Sequence, residues 1–119
     1  MSSLLTRREG EILLVYFEDV SIIDEANINE LGNELLELLN QPDNEKIVVN
    51  LGTIGFMSSA MIGKLILFAK ECKSAKVRLR VCNINDNLQQ VFDLMNLHKV
   101  FLIDKEESIS IAQLQKKTF

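Results

Sequence analysis

Short apolar runs alternate along the chain with segments in which apolar residues recur every three or four positions. Strands are predicted at residues 4–8, 12–17, 47–51, 77–81 and 100–103, where β-branched and aromatic residues cluster or alternate with polar ones. Helices are predicted after Asp24, after the pair Ser58 and Ser59, after Asn85 and over 106–117. Asp24 and Asn85 are suitable N-caps, and Pro42 ends the first helix.

The predicted order is β, β, α, β, α, β, α, β, α. Strands that alternate with helices pair mostly in parallel through right-handed crossovers. The sequence therefore predicts one α/β domain over 1–119, with a mixed, mostly parallel sheet of about five strands and about four helices.

The stretch 46–76 is the central unit of this pattern. Its strand is apolar enough to be covered on both faces, and Gly52 and Gly55 follow it in a turn. Ile62, Leu65, Ile66 and Ala69 then form one apolar helical stripe. Two hydroxyl groups, those of Ser58 and Ser59, stand where this helix begins. We expect the function of the protein to reside there.

Composition and charge narrow the class of protein. The net charge of -4 argues against nucleic acid as the main partner. Residues 9–45 contain no Lys or Arg, whereas 64–80 contain six basic residues and one acid, which suggests either two solvated faces or a protein-docking surface. No signal peptide or membrane span is recognisable, and two isolated cysteines suggest reduced, buried thiols. We expect a cytoplasmic protein that does not bind membranes.

Residues for catalysis are not recognisable in the sequence. The chain lacks a Walker loop, a GxGxxG motif and a GxSxG motif, and its single histidine, His98, lies in a polar connection. No spacing of Cys and His suggests a metal site. We therefore expect a non-enzymatic protein without a metal or a cofactor.

The serine pair has two interpretations from position alone. A serine before a helix is a favoured N-cap, which suits Ser58 in any case. Alternatively, one serine is a reversible phosphorylation site, because the N-terminus of a helix favours negative charge. A phosphate adds a charge of about -1.5 to -2, which would alter an interface and leave the fold intact.

The runs VVNLGTIGFMSSAMIGKLILFAK and VRLRVCNINDNLQQVFDLMNLHKVF resemble the STAS domain, specifically that of bacterial anti-sigma factor antagonists. Members of that family have an apolar strand ending in Asp or Asn, then Phe-hydrophobic-Asp-Ser-Ser/Thr-Gly-hydrophobic-Gly, and an amphipathic helix. The resemblance extends from about residue 15 to the C-terminus. It implies a STAS-like fold.

The resemblance assigns roles to the residues of the central motif. Ser59 falls on the serine that a partner kinase phosphorylates, with Ser58 as the second choice. Ser58 falls on the aspartate of the family, and Met61 replaces the glycine after the acceptor. The implied partner-binding surface consists of Asn50, Gly55, Phe56, Met57, Ser58, Ala60, Met61, Gly63 and Lys64.

The resemblance implies a switch. The unphosphorylated protein would bind an anti-sigma factor or a switch-type serine kinase, and a phosphate on Ser59, removed by a phosphatase, would break the complex and regulate transcription or a related pathway. The missing aspartate favours instead a constitutive, non-phosphorylated binding scaffold. A small-ligand-sensing STAS module is a third alternative. A monomer or a weak dimer is expected.

Overall fold

The computed structural model describes residues 4–18 and 25–116. Its five strands are β1 (Leu4–Glu9), β2 (Ile12–Phe17), β3 (Lys46–Asn50), β4 (Arg78–Cys82) and β5 (Ile103–Asp104). Its four helices are α1 (Glu25–Glu37), α2 (Ser59–Ser74), α3 (Asp86–Leu94) and α4 (Glu107–Gln115). Short 3-10 turns follow α1 at Leu38–Asn40 and α3 at Leu97–Lys99. The predicted α/β class and the number of elements are confirmed.

The strands form one sheet in the order β1-β2-β3-β4-β5. β1 and β2 form an antiparallel hairpin, in which Leu4 pairs with Phe17, and the remaining neighbours are parallel. Each crossover moves one strand further in the same direction. Because crossovers share one hand, α1, α2 and α3 lie on one face of the sheet, here called the front face.

The front face carries the main core. Alternate strand residues contribute to it, since successive side chains of a strand point to opposite faces. Its buried members include Leu13, Val15, Phe17, Ile47, Val49 and Val81 from the strands, with Ile28, Leu31, Leu35, Leu65, Phe68, Leu88 and Phe92 from the helices. These helix positions follow the apolar periodicity of the sequence.

α4 lies on the opposite, back face. Leu114 of α4 packs there against a smaller set of buried residues, Ile12, Leu14, Val48 and Cys82, and Ile111 and Tyr16 flank this set. The back face therefore buries much less apolar surface than the front face.

Two predicted boundaries are wrong. The last strand was predicted at 100–103, but β5 contains Ile103 and Asp104 alone. Phe101 turns into the front core, where its ring stacks on Phe92 at a centroid distance of 5.7 Å, and its N–H donates to the carbonyl of Leu97. The chain therefore turns at Val100, and Phe101 and Leu102 have no regular structure. The last helix ends at Gln115, so no lysine lies in its last turn.

The end of α4 is instead held by β4. The Arg78 guanidinium donates to the carbonyl oxygens of Gln113, Leu114 and Lys116 at 3.1 to 3.2 Å. A cation on these carbonyls satisfies the free acceptors at a helix C-terminus. The predicted N-cap Asp24 and the residue Lys117 lie outside the described residues.

Candidate functional site

The connection between β3 and α2 is anchored by hydrogen bonds to three parts of the molecule. Asn50 Oδ1 accepts from the N–H of Gly52 at 2.8 Å, and the Thr53 hydroxyl donates to the carbonyl of Phe17 at 2.8 Å. Asn85 Nδ2 donates to the carbonyls of Ile54 and Gly55 at 3.2 and 3.1 Å. The connection is thus a fixed loop, although it contains no regular structure.

Gly52 is required by the close approach of the chain to Asn50. A Cβ atom at this position would lie 2.9 Å from Asn50 Oδ1 and 3.5 Å from the Cβ of Asn83. A larger residue would displace the Asn50 side chain and with it the hydrogen bond that fixes the loop. The glycine in this turn therefore leaves room for the Asn50 side chain.

Ser58 is the N-cap of α2. It has extended backbone angles (φ -71, ψ 160), and its Oγ accepts from the N–H of Met61 at 3.2 Å. Its carbonyl accepts from the N–H of Ile62 at 3.0 Å. The structural role predicted for Ser58 is confirmed, and its hydroxyl is already used within the protein.

Ser59 is the first residue of α2, and its side chain is exposed. The two serines therefore differ. One hydroxyl completes the helix, whereas the other points to solvent beside the positive end of the helix dipole. Ser59 is the more accessible of the two for a modifying enzyme.

Several residues close to Ser59 in the sequence are exposed. The side chain of Phe56 is 69% exposed, although the neighbouring Ile54 and Met57 are buried in the front core. Gly55, Ala60 and Gly63 are also exposed. We call Gly55, Phe56, Ser59, Ala60 and Gly63 the site surface. The two buried anchors hold an aromatic ring in solvent, where a partner can cover it.

Other residues assigned to partner binding have different positions. Met57 and Met61 are buried in the front core, so they support the site surface from below. Asn50 is half-buried on the back face, where its Nδ2 donates to Glu107 at 2.9 Å. Lys64 is half-buried, and its Cδ lies 2.7 Å from the point where a Cβ on Gly32 of α1 would be. A partner-binding role for these four residues stays a prediction.

The sequence did not predict how Asn85 and Glu107 serve the site. Asn85 was predicted as an N-cap, and its Oδ1 does accept from the N–H of Leu88 at 2.8 Å. Its amide also holds the loop, as described above. A polar residue three positions after the end of β4 was the available signal, because the carboxyl ends of neighbouring parallel strands share one edge of the sheet.

Glu107, in the first turn of α4, joins the back face to this edge. Its carboxylate accepts from Tyr16 Oη at 2.5 Å, from Arg7 at 3.4 Å and from Asn50 at 2.9 Å. Burial, followed by the hydrogen bond to Glu107, raises the pKa of Tyr16. Asn50 therefore connects α4 to the loop that carries the site surface.

The described residues contain no group of three or more His, Cys, Asp or Glu side chains that could hold a metal ion. Burial raises the pKa of both Cys72 and Cys82 to about 12, so both thiols stay protonated near neutral pH. His98 is exposed. Among the helices of the described part of the chain, none is long and apolar enough to cross a membrane.

The model of the STAS domain family matches residues 4–109 of this sequence. The match covers most of the chain, and the protein belongs to the STAS domain family.

Individual relatives agree with this assignment. The sequence is 22% identical over 91 residues to BtrV of Bordetella bronchiseptica, described as a candidate anti-sigma factor antagonist, with 76% of this chain and 78% of that protein covered. The fold resembles the crystal structure of another candidate anti-sigma factor antagonist, from Thermotoga maritima, with a TM-score of 0.82 and 17% identity over 95% of both chains. It also resembles the phosphorylated form of the Bacillus cell fate determinant SpoIIAA, with a TM-score of 0.70 and 15% identity over 94% of this chain and 99% of that one.

Proposed function

We propose that this protein is an anti-sigma factor antagonist controlled by phosphorylation of Ser59. In the unphosphorylated form, the site surface binds an anti-sigma factor or a switch-type serine kinase. Transfer of a phosphoryl group to Ser59 ends the complex, and a phosphatase restores it. The observation that carries this proposal is the difference between the two serines: Ser58 caps α2, whereas Ser59 is exposed, three residues after the exposed Phe56.

The first turn of α2 suits a phosphorylated residue. Backbone N–H groups at the start of a helix lack partners within the helix, and the dipole favours negative charge. The first turn of α2 contains no acidic residue that would repel a phosphate. A phosphate on Ser59 therefore leaves the fold intact.

The same charge is costly in a complex. A phosphate at Ser59 would add about -1.5 to -2 charges close to the exposed ring of Phe56. A partner that covers this ring would have to remove water from the phosphate without supplying a counter-charge. Modification thus changes the affinity of the site surface without any rearrangement of the sheet.

The comparisons support this proposal at the level of the family. The relatives found by sequence and by structure are described as anti-sigma factor antagonists, and one neighbour was solved in a phosphorylated form. Ser58 stands where the family pattern has an aspartate, and this difference supports a second candidate function. In that case the protein is a constitutive binding scaffold that uses the same surface without modification.

Mass spectrometry of the intact protein, purified from its native cells, tests the proposal. We expect a phosphate adduct in the wild type and in Ser58→Ala, and none in Ser59→Ala. An adduct lost in Ser58→Ala alone would move the acceptor by one residue. Absence of the adduct under every growth condition would contradict the switch and favour the scaffold.

Binding to an anti-sigma factor or switch-type kinase from the same organism tests the surface itself. We expect Phe56→Ala and Ser59→Glu to weaken binding roughly tenfold or more, as loss of a central aromatic contact or added interface charge does. Leu94→Ala is the matched control. Leu94 is an apolar residue, 85% exposed, at the C-terminal end of α3, whereas Asn85, which bonds the loop, is at the N-terminal end of that helix. Equal binding by all variants would place the interface elsewhere.

A further inference from the structure

One edge of β4 is only partly paired. β4 pairs with β3 along its whole length, from Arg78 to Cys82, but β5 pairs only with Val81 and Cys82. The N–H of Val81 donates to the carbonyl of Leu102 at 2.9 Å, whereas the N–H of Arg78 points the other way, to Glu45. Because this direction alternates along a strand, the N–H and C=O of Leu79 face the β5 side. In the described chain, no residue of β5 lies opposite Leu79.

A cavity of about 240 Å³ occupies the place where a longer fifth strand would lie. Helix α2 bounds it on the front, and α4 bounds it on the back. Its lining residues are Ala69, Cys72, Lys73, Val77, Arg78, Leu79, Arg80, Val100, Leu102 and Leu114. We call this cavity, with the open edge of Leu79, the β4 notch. Val100 and Leu102 are exposed at its rim.

The charge of the notch is opposite to that of the protein as a whole. Its lining contains Lys73, Arg78 and Arg80 and no carboxylate, although the chain has a net charge of -4. Arg80 is paired with Asp104 at 2.6 Å, and Arg78 is bonded to the neutral carbonyls that end α4. Lys76 and Lys99, which are exposed, precede the lining residues Val77 and Val100. An acidic ligand would therefore meet a positive rim.

We propose that the β4 notch binds an extended segment of a protein partner in which acidic and apolar residues alternate. The segment adds a short strand along Leu79. Because successive side chains of a strand point to opposite faces, its apolar side chains face the front, toward Ala69 and Cys72 of α2, and its acids face the back, the side of Arg78 and Arg80. The unpaired backbone favours a peptide, since strand addition supplies the missing hydrogen bonds. The volume of about 240 Å³ also lies below the range of about 300–1,000 Å³ typical of small-molecule sites.

The notch lies at the amino end of β4, whereas the site surface follows the carboxyl end of β3. These two strands run parallel, so the two sites are at opposite ends of the sheet. A segment in the notch leaves the site surface free, and this proposal is independent of whether Ser59 is phosphorylated.

Nuclear magnetic resonance of the full chain, labelled with ¹⁵N, tests the proposal with a defined probe. The probe is the capped peptide Glu-Val-Asp-Val-Glu-Val. We expect chemical-shift changes at Leu79, Val100 and Leu102, and slower hydrogen exchange of the Leu79 N–H. Changes confined to β1, the other edge of the sheet, or no changes at all, would overturn the proposal. Shifts at Leu79 that depend on protein concentration without peptide would identify a second copy as the occupant instead.

Two variants with similar exposure sharpen the test. Leu102→Glu places a negative charge at the rim of the notch, and Leu5→Glu places the same charge on β1. The two positions are matched because Leu102 and Leu5 are 57% and 52% exposed. We expect Leu102→Glu to weaken peptide binding roughly tenfold and Leu5→Glu to leave it unchanged. Raising the ionic strength from about 0.05 M to about 0.5 M should also weaken it. Equal binding by Leu102→Glu, or by a peptide with Lys in place of each acid, would contradict the assignment.

Discussion

The front face of the sheet is covered by three helices, and the back face, over β3 to β5, by α4. The front core is a large apolar cluster that includes the aromatic rings of Phe17, Phe68, Phe92 and Phe101. On the back face, Leu114 packs against four other buried residues, and polar contacts fix the rest of α4. The front face therefore supplies most of the stability, whereas the back face sets the position of one helix.

The polar contacts of the back face hold both ends of α4. Arg78 binds the carbonyls at its end, and Glu107 binds Tyr16 and Asn50 at its start. Between them, Asp104 accepts from Arg80 at 2.6 and 3.1 Å and from Ser110 at 2.7 Å. Such contacts depend on geometry and charge more than on buried area, so we expect them to respond to pH.

The comparison predicts the largest effect for a pair of matched leucines. Leu65 on the front face and Leu114 on the back face are both buried. Leu65→Ala and Leu114→Ala should each lower the free energy of unfolding within the range of about 2–5 kcal/mol. We expect Leu65→Ala near the top of it, because α4 can shift to close the cavity that Leu114→Ala leaves. Urea denaturation measures both values. A larger loss for Leu114→Ala would contradict the conclusion that the front face supplies most of the stability.

A smaller effect is expected for Asp104→Asn. Burial raises the pKa of the Asp104 carboxyl, but the hydrogen bonds from Arg80 and Ser110 outweigh burial and hold the pKa below its ordinary value. Removing the charge should cost about 1–3 kcal/mol at pH 7, since Arg80 then lacks its counter-charge.

The pH dependence of the difference in unfolding free energy between the wild type and Asp104→Asn provides the control. A lowered pKa in the folded state stabilises the protein above the unfolded value of about 3.9, and this contribution is lost as pH falls through the folded pKa. Unfolding free energies of the wild type and Asp104→Asn should therefore converge below about pH 4. A constant difference from pH 7 to the acid range would show that the Asp104 charge is unimportant.

Variants of Asn85 test how far its hydrogen bonds, which join the start of α3 to the loop before α2, fix that loop. Asn85→Ala removes the cap of α3 and both bonds to the loop, so a loss of about 1–2 kcal/mol is expected. Asn85→Asp keeps the cap and loses the amide donors. Hydrogen exchange of the loop amides should speed up in both variants. An increase in Asn85→Ala alone would assign the effect to the cap.

The smallest effects on stability are predicted at the serine pair. Ser58→Ala should cost about 1 kcal/mol, because the N–H of Met61 loses its acceptor. Ser59→Ala should change stability by no more than about 0.5 kcal/mol, as is usual for exposed positions. Thermal unfolding of the two variants measures the difference, and equal losses would mean that Ser59 also contributes to the start of the helix.

Local patterns were sufficient for most of the fold. Apolar periodicity located the helices and four of the strands closely, and the residue types at Ser58 and Asn85 identified both caps. The pattern failed at 100–103, where an apolar run was predicted as a strand. Periodicity does not reveal that Phe101 is needed in the front core, because its neighbour Phe92 lies on another element.

The sequence by itself determined the order of the elements, the fixed start of α2 and the choice between two serines as candidates, because these depend on contacts between residues close in the chain. The tertiary structure decided which residues reach the surface. It buried Met57 and Met61, exposed Phe56, and joined Asn50 to Glu107 across 57 positions. The open edge of β4 also exists only in the folded sheet, since it depends on where β5 begins to pair.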